Sequence, residues 1–194
     1  MKIKTEMVID CSGSMATVSS AVNDGVLEYA NSMKDGDWLS ITEFEGGKVV
    51  APVHKAAKRD MGANPYRHRA VGMTNLYDAV GTVLSNTLQK KSMKGRVVVI
   101  TTDGFENASK EFTRDAVMKL VKEFEKKGGN VMYISASADP FADALAMGID
   151  ARNTIAYAAA KTGETFSVAR AAKERVRGGQ AMGFTDSERE ELSK

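Results

Sequence analysis

A chain of 194 residues, 43% hydrophobic and 27% charged, is sized for one globular domain built on one sizeable core. Its 27 basic and 25 acidic side chains leave a net charge of +2, which gives no electrostatic reason to expect nucleic acid or an anionic membrane as the main partner. No apolar run approaches the ~20 residues of a membrane-spanning helix, and Cys11, the single cysteine, excludes an intrachain disulfide, so a reducing cytoplasm is the expected location.

Strand and helix patterns alternate along the chain. Ile3 to Ile9 reads as a strand, not as a signal peptide, because Lys4 and Glu6 interrupt its apolar residues. A short polar loop, Asp10 to Met15, leads into a helix whose Val18, Val22, Val26, Tyr29 and Met33 recur at three- and four-residue steps. Asp37 to Phe44 is a second strand. The turn Glu45-Gly46-Gly47-Lys48 is too short for a parallel crossover, so Val49 to Val53 must return antiparallel. Pro52 lacks a donor N–H, which assigns the returning strand to a sheet edge.

His54 to Gly72, with Gly62, Asn64 and Pro65, is expected to be a long irregular stretch. A helix follows from near Asn75, with Leu76, Val80, Val83, Leu84 and Leu88 on one face. Arg96 to Thr102 holds the β-branched run Val97 to Ile100, which suits a central strand buried on both faces. After the loop Asp103 to Lys110, Thr113 is placed as an N-cap with Phe112 and Val117 as a hydrophobic staple, and Gly128 ends that helix. Val131 to Ser135 is a strand. Asp139 and Pro140 open a short helix closed by Gly148. Thr154 to Tyr157 is the last strand, and a final helix runs from about Glu164 to Arg177. Thr185 and Glu188 have capping-box spacing for one short terminal helix. The expected architecture is a doubly wound, mostly parallel six-stranded α/β sheet with one antiparallel edge strand and helices on both faces. Residues 1–177 would form the domain and 178–194 a charged C-terminal tail.

The chemistry is concentrated in the loop Asp10-Cys11-Ser12-Gly13-Ser14, at the C-terminal end of the first strand. Open α/β sheets bind ligands outside those strand ends. Residues at i, i+2 and i+4 of an extended segment face one side, so one carboxylate and two hydroxyls converge. Thr74, at the entrance of the second helix, and Asp103, at the end of the central strand, add a hydroxyl and a second carboxylate. Oxygen donors of this kind suit a hard divalent cation that keeps several waters.

These three segments resemble the metal ion-dependent adhesion site (MIDAS) of von Willebrand factor A domains, whose pattern is Asp-x-Ser-x-Ser, a distant Thr and a distant Asp. The matching residues are Asp10, Ser12, Ser14, Thr74 and Asp103. The flanking words Gly72-Met73-Thr74-Asn75-Leu76-Tyr77-Asp78-Ala79 and Thr102-Asp103-Gly104-Phe105-Glu106-Asn107 match as well, and the resemblance spans roughly residues 1 to 177. It implies the α/β fold already expected, and an Mg2+ or Mn2+ ion held by those five side chains. It also implies an open coordination position that takes an Asp or Glu carboxylate from a protein partner. Stand-alone bacterial and phage domains of this type are similar in size, and some act as adaptors beside MoxR-type AAA+ ATPases. On this reading the chain is a non-enzymatic interaction module.

Other features have plainer readings beside functional ones. Cys11 lies next to a helix start, where a thiolate is favoured, yet a small residue packed inward explains it as well. His54 and His68 lack a second His or Cys at ligand spacing and are expected to be loop residues, not zinc ligands. Tyr66-Arg67-His68-Arg69 is either a basic loop that recognises an acidic partner or a solvated one. Lys90, Lys91, Lys94 and Arg96 are expected to be a solvated face, and most of the 11 methionines core filling. Two rival functions remain. A metal-dependent hydrolase is disfavoured because Ser12 stands where an aspartyl phosphatase needs its second acid, and no P-loop is present. A structural phage or bacterial assembly protein would retain the fold without using the metal.

Overall fold

The computed structural model describes residues 1–45, 48–56, 66–104, 106–158 and 161–193. Its sheet has six strands: β1 (Lys4–Asp10), β2 (Trp38–Glu45), β3 (Lys48–Ala56), β4 (Arg96–Thr102), β5 (Asn130–Ser135) and β6 (Thr154–Ala156). Their order is β3-β2-β1-β4-β5-β6. β3 runs antiparallel to β2, and every other pairing is parallel. The edge strand is therefore the one that carries Pro52, and the strand order reverses between β1 and β4. That seam is where a doubly wound sheet opens a ligand crevice.

Alternation along each strand divides the core in two. On one face Met7, Ile9, Val97 and Val99 pack with α1 (Ser19–Asn31) and α5 (Thr162–Arg177). On the other, Val8, Val98 and Ile100 pack with α2 (Leu76–Leu88) and α3 (Arg114–Lys126). Every residue of β4 is buried, as an uninterrupted β-branched run requires. Each such side chain contributes roughly 1.5–3 kcal/mol of burial. The methionines at 7, 15, 33, 93, 132, 147 and 182 are buried, while Met1 and Met73 are exposed.

Local signals explain most element ends. Thr113 accepts the Ala116 amide at 3.3 Å, and Gly128 closes α3 at φ 89°, a conformation that costs glycine little. Asp139 accepts the Ala142 amide at 3.0 Å and opens α4 (Pro140–Ala146) with Pro140 in its first turn. The box at Thr185 and Glu188 forms reciprocally, at 2.7 and 3.2 Å, and starts α6 (Asp186–Ser193). Beyond α5, Met182, Phe184 and Leu192 are buried with the α1–α5 cluster, and Arg175 holds Glu188 through two nitrogens at 2.9 and 3.0 Å.

Three expectations need correction. A 3-10 turn over Gly13–Val18 precedes α1, so the helix begins at Ser19. β3 extends through Ala56, which puts His54 in a strand and not in a loop. Gly62, Asn64 and Pro65 lie outside the described residues. Arg96 does not belong to a solvated basic face. It is only 8% exposed, and its Nε donates to the Ser92 carbonyl at 2.9 Å, whereas Lys90, Lys91 and Lys94 are exposed.

Candidate metal centre

Asp10 is the last residue of β1 and is fully buried. Its Oδ1 accepts the Ser12 amide at 2.7 Å, and its Oδ2 accepts the Thr102 hydroxyl at 2.5 Å. The Ser12 and Ser14 hydroxyl oxygens are 3.2 Å apart, and Ser14 donates to Asp103 Oδ1 at 2.8 Å. Thr74 reaches the same cradle. A Cβ placed on Gly104 would stand 3.3 Å from Thr74 Oγ1 and 3.9 Å from Ser14 Oγ, so both hydroxyls border one glycine that leaves room between them. Asp10, Ser12 and Thr74 are buried, Asp103 is half-buried and Ser14 exposed. The cradle therefore has a buried floor and one open side.

A second set of residues holds this arrangement, and the residue pattern alone did not single it out. The turn Val71–Gly72 is stitched to the Asp10 loop by backbone bonds, Val71 N–H to the Cys11 carbonyl at 2.5 Å and Gly13 N–H to the Gly72 carbonyl at 3.1 Å. His68 is buried. Its Nε2 donates to the Asp10 carbonyl at 2.7 Å, and its Nδ1 is 2.8 Å from Ser19 Oγ at the start of α1. His68 lies in a loop, as expected, but it is buried there, with both ring nitrogens engaged by backbone and helix start. Tyr66 is buried too, so only Arg67 and Arg69 of that basic segment face solvent.

The words flanking Thr74 and Asp103 prove to be fasteners. Asn107 Oδ1 accepts the Thr74 amide at 3.0 Å, and the Thr74 carbonyl accepts the amides of Asn107 and Ala108. Glu106 accepts the amides of Tyr77, Ala108 and Ser109 at 2.7–2.9 Å. Asp78 accepts those of Lys110, Glu111 and Phe112, each at 2.8 Å. Without these carboxylates and this amide, the turn after β4 and the entrance of α2 would carry orphaned donors.

Burial raises the pKa of Asp10, and the nearby charge of Asp103 adds to it; the bonds from Thr102 and Ser12 pull the other way. Burial, then Glu43, pushes the Cys11 thiol far up. Cys11 is therefore a packed side chain and not a thiolate. Among the described residues no three His, Cys, Asp or Glu side chains gather closely enough to hold an ion. The donors of the cradle are instead two carboxylates and three hydroxyls. Hard oxygen donors with little negative charge fit a hard divalent cation that retains water, and not a thiolate or imidazole zinc site.

Neither a protein-family model nor a curated protein sequence matches the chain. Solved structures do. One is a von Willebrand factor type A protein from Catenulispora acidiphila, at 18% identity and TM-score 0.61, covering 89% of this chain and 42% of that one. Another is proximal thread matrix protein 1 from the mussel byssus, at 18% identity and TM-score 0.68, covering 86% and 46%. The fold is that of a von Willebrand factor A domain. A second structure of the mussel protein, with a zinc-occupied MIDAS motif, matches at 16% identity and TM-score 0.67, again covering 86% and 46%. The chain thus spans less than half the length of each of these von Willebrand factor A-fold structures. No described helix is long and apolar enough to cross a membrane.

Proposed function

We propose that the chain is a metal-dependent protein-interaction module. An Mg2+ or Mn2+ ion would be held by Asp10, Ser12, Ser14, Thr74 and Asp103, and would take an Asp or Glu carboxylate from a partner on its open side. The observation that carries this reading is the continuous chain of contacts from Asp10 through Ser12 and Ser14 to Asp103, with Thr74 on the same glycine. When bound, the cation supplies an electrophile that a partner carboxylate neutralises. That the mussel protein, of similar fold, carries a zinc-occupied MIDAS motif supports the reading of a divalent ion here.

The surroundings of the cradle support a non-enzymatic reading. His68, the histidine beside it, is committed through both ring nitrogens, so it does not serve as a general base. The finer form of the proposal is a cytoplasmic adaptor whose partner is a MoxR-type AAA+ ATPase or one of its substrates. It rests on family-level analogy.

Calorimetric titration with Mg2+ and Mn2+ tests the site, and affinity capture with and without EDTA tests the role. Saturable metal binding that is lost in Ser12→Ala/Ser14→Ala, with partners released by EDTA, is the expected result. Equal metal binding by the double variant overturns the site. Partner capture indifferent to both EDTA and the substitutions overturns the function.

A further inference from the structure

At the end of the sheet away from the cradle, where β5 and β6 begin, an open pocket of about 660 Å3 lies between α3, the end of α4 and the turn before β6. Met118, Lys122 and Glu125 recur at four- and three-residue steps and present one stripe of α3 to it. Gly148 follows α4 at φ 78°, and a Cβ there would stand 2.9 Å from Met118 Cγ and 3.6 Å from Lys122 Cε. The two helices therefore meet at a residue without a side chain, and the Lys122 stem runs beside it. Asn153, the last residue of the turn Ala151–Asn153, forms another wall.

Much of the wall is apolar. Met118, Leu145, Ile149 and Met182 contribute to it, and Leu145 is left 72% exposed. Four charged residues line the pocket, two basic and two acidic. Asp150 and Arg152 pair with each other at 3.4 Å. Lys122 and Glu125 pair neither with each other nor with any other described residue, although three residues along a helix is a spacing at which such pairs form. Glu125 is half-buried and receives one long bond, from Asn153 Nδ2 at 3.5 Å. Asn153 is only 7% exposed, and the Oδ1 of the same amide has no partner among the described residues. Burial raises the pKa of Glu125 and Asp150 adds to it, against Arg152 and the Asn153 bond. Two neighbouring acceptors are thus short of N–H donors, and Lys122 is short of an acceptor.

We infer that this pocket binds a small zwitterion with an apolar side chain, of the class of the free apolar amino acids and their dipeptides. The ammonium group meets Glu125 beside Asn153, the carboxylate meets Lys122, and the side chain lies against Met118, Leu145 and Ile149. A ligand that is neutral overall suits a lining that is neutral overall but holds one acid and one base unpaired. A simple cation or anion would satisfy one of them and leave the other. Clefts of this size, with apolar walls and a few convergent polar groups, hold small ligands, and both polar contacts are charge-assisted.

Calorimetric titration of the full chain in EDTA tests this apart from the metal proposal. Leucine, methionine and leucyl-leucine are the ligands. Their N-acetyl forms lack the ammonium, their amides lack the carboxylate, and glycine lacks the apolar side chain. Saturable binding of the amino acids or the dipeptide is expected, about tenfold or more weaker for each comparator. Binding of the dipeptide alone, or of the amino acids alone, supports the site and fixes the length of the ligand. Glu125→Gln should abolish the preference over the N-acetyl form and keep the preference over the amide. Lys122→Gln should do the reverse, both at unchanged melting temperature, a crossed pattern that damage to the fold would not produce. No saturable binding of any of the three ligands overturns the site. Acetylated and amidated forms that bind as tightly as their parents, or variants that keep both preferences, overturn the ligand class.

Discussion

Thr102 joins the two strands at the switch point: its hydroxyl donates to Asp10 Oδ2 at 2.5 Å, and its oxygen receives the Gly104 amide at 3.2 Å. One side chain thereby fixes a carboxylate of the cradle and the turn that carries Asp103. Thr102→Val keeps the shape and removes both bonds. It should lower Mg2+ affinity roughly tenfold, as loss of a partner behind a metal ligand does, while Thr102→Ser retains it. Leaving a buried carboxylate oxygen unpaired should also cost about 1–3 kcal/mol in stability. Calorimetry of the two variants checks the contrast, and equal affinities would show that Thr102 does not position Asp10.

Asp78 illustrates how a residue next to the cradle acts on it without facing it. Its two oxygens take three backbone amides of the loop after β4. Asp78→Ala would remove the acceptor of all three; Lys110 and Glu111 are exposed, so water can take over part of the role, and the loss should be roughly 1–3 kcal/mol. Asp78→Asn keeps one acceptor oxygen and should fall between. Urea unfolding measures both. An alanine variant as stable as the parent would mean that the loop finds other acceptors.

The number and direction of the strands were legible because periodicity and turn length constrain them strongly. Val97 to Ile100 has no polar interruption, so only a central strand accommodates it, and a two-residue link between β2 and β3 allows only a hairpin. Asp10, Ser12 and Ser14 were legible because their spacing is local. The roles of His68, Thr102, Glu106 and Asn107 were not, since their work depends on partners 29 to 92 residues away, or on backbone atoms that no pattern displays. Arg96 misled for a related reason. Beside three exposed lysines it looked solvated, yet as the first residue of a central strand it starts inside the sheet.

Cys11 is buried at 2% exposure, with its thiol pushed up by burial and by Glu43. A thiol reagent should therefore modify the folded protein only as fast as it opens, and denaturant should restore the rate of a free cysteine. A folded-state rate equal to the denatured one would contradict the packing described.

Lys173 is fully buried between α1 and α5. Its Nζ donates to Ser32 Oγ at 2.6 Å and stands 4.4 Å from the centre of the Tyr29 ring. Burial lowers its pKa from 10.5 to about 8, only partly countered by Glu174 and Asp37. The folded chain therefore gives up this proton more readily than the unfolded one. Below about pH 8 both states hold it, and folding carries a constant penalty of about 3 kcal/mol. Between about pH 8 and 10.5 the unfolded state binds more protons, so this group makes stability rise with pH. Lys173→Met retains the length of the stem and removes the charge along with the Ser32 bond. The variant should be more stable than the parent by roughly 1–2 kcal/mol near neutral pH, allowing for the lost hydrogen bond. That advantage should shrink as the pH approaches about 10, where the parent's lysine is already neutral in the folded state. Urea unfolding of both proteins at about pH 7 and about pH 10 reads the difference directly. A gap that does not change with pH, or a methionine variant weaker at both values, would mean that the buried ammonium is not held at a cost.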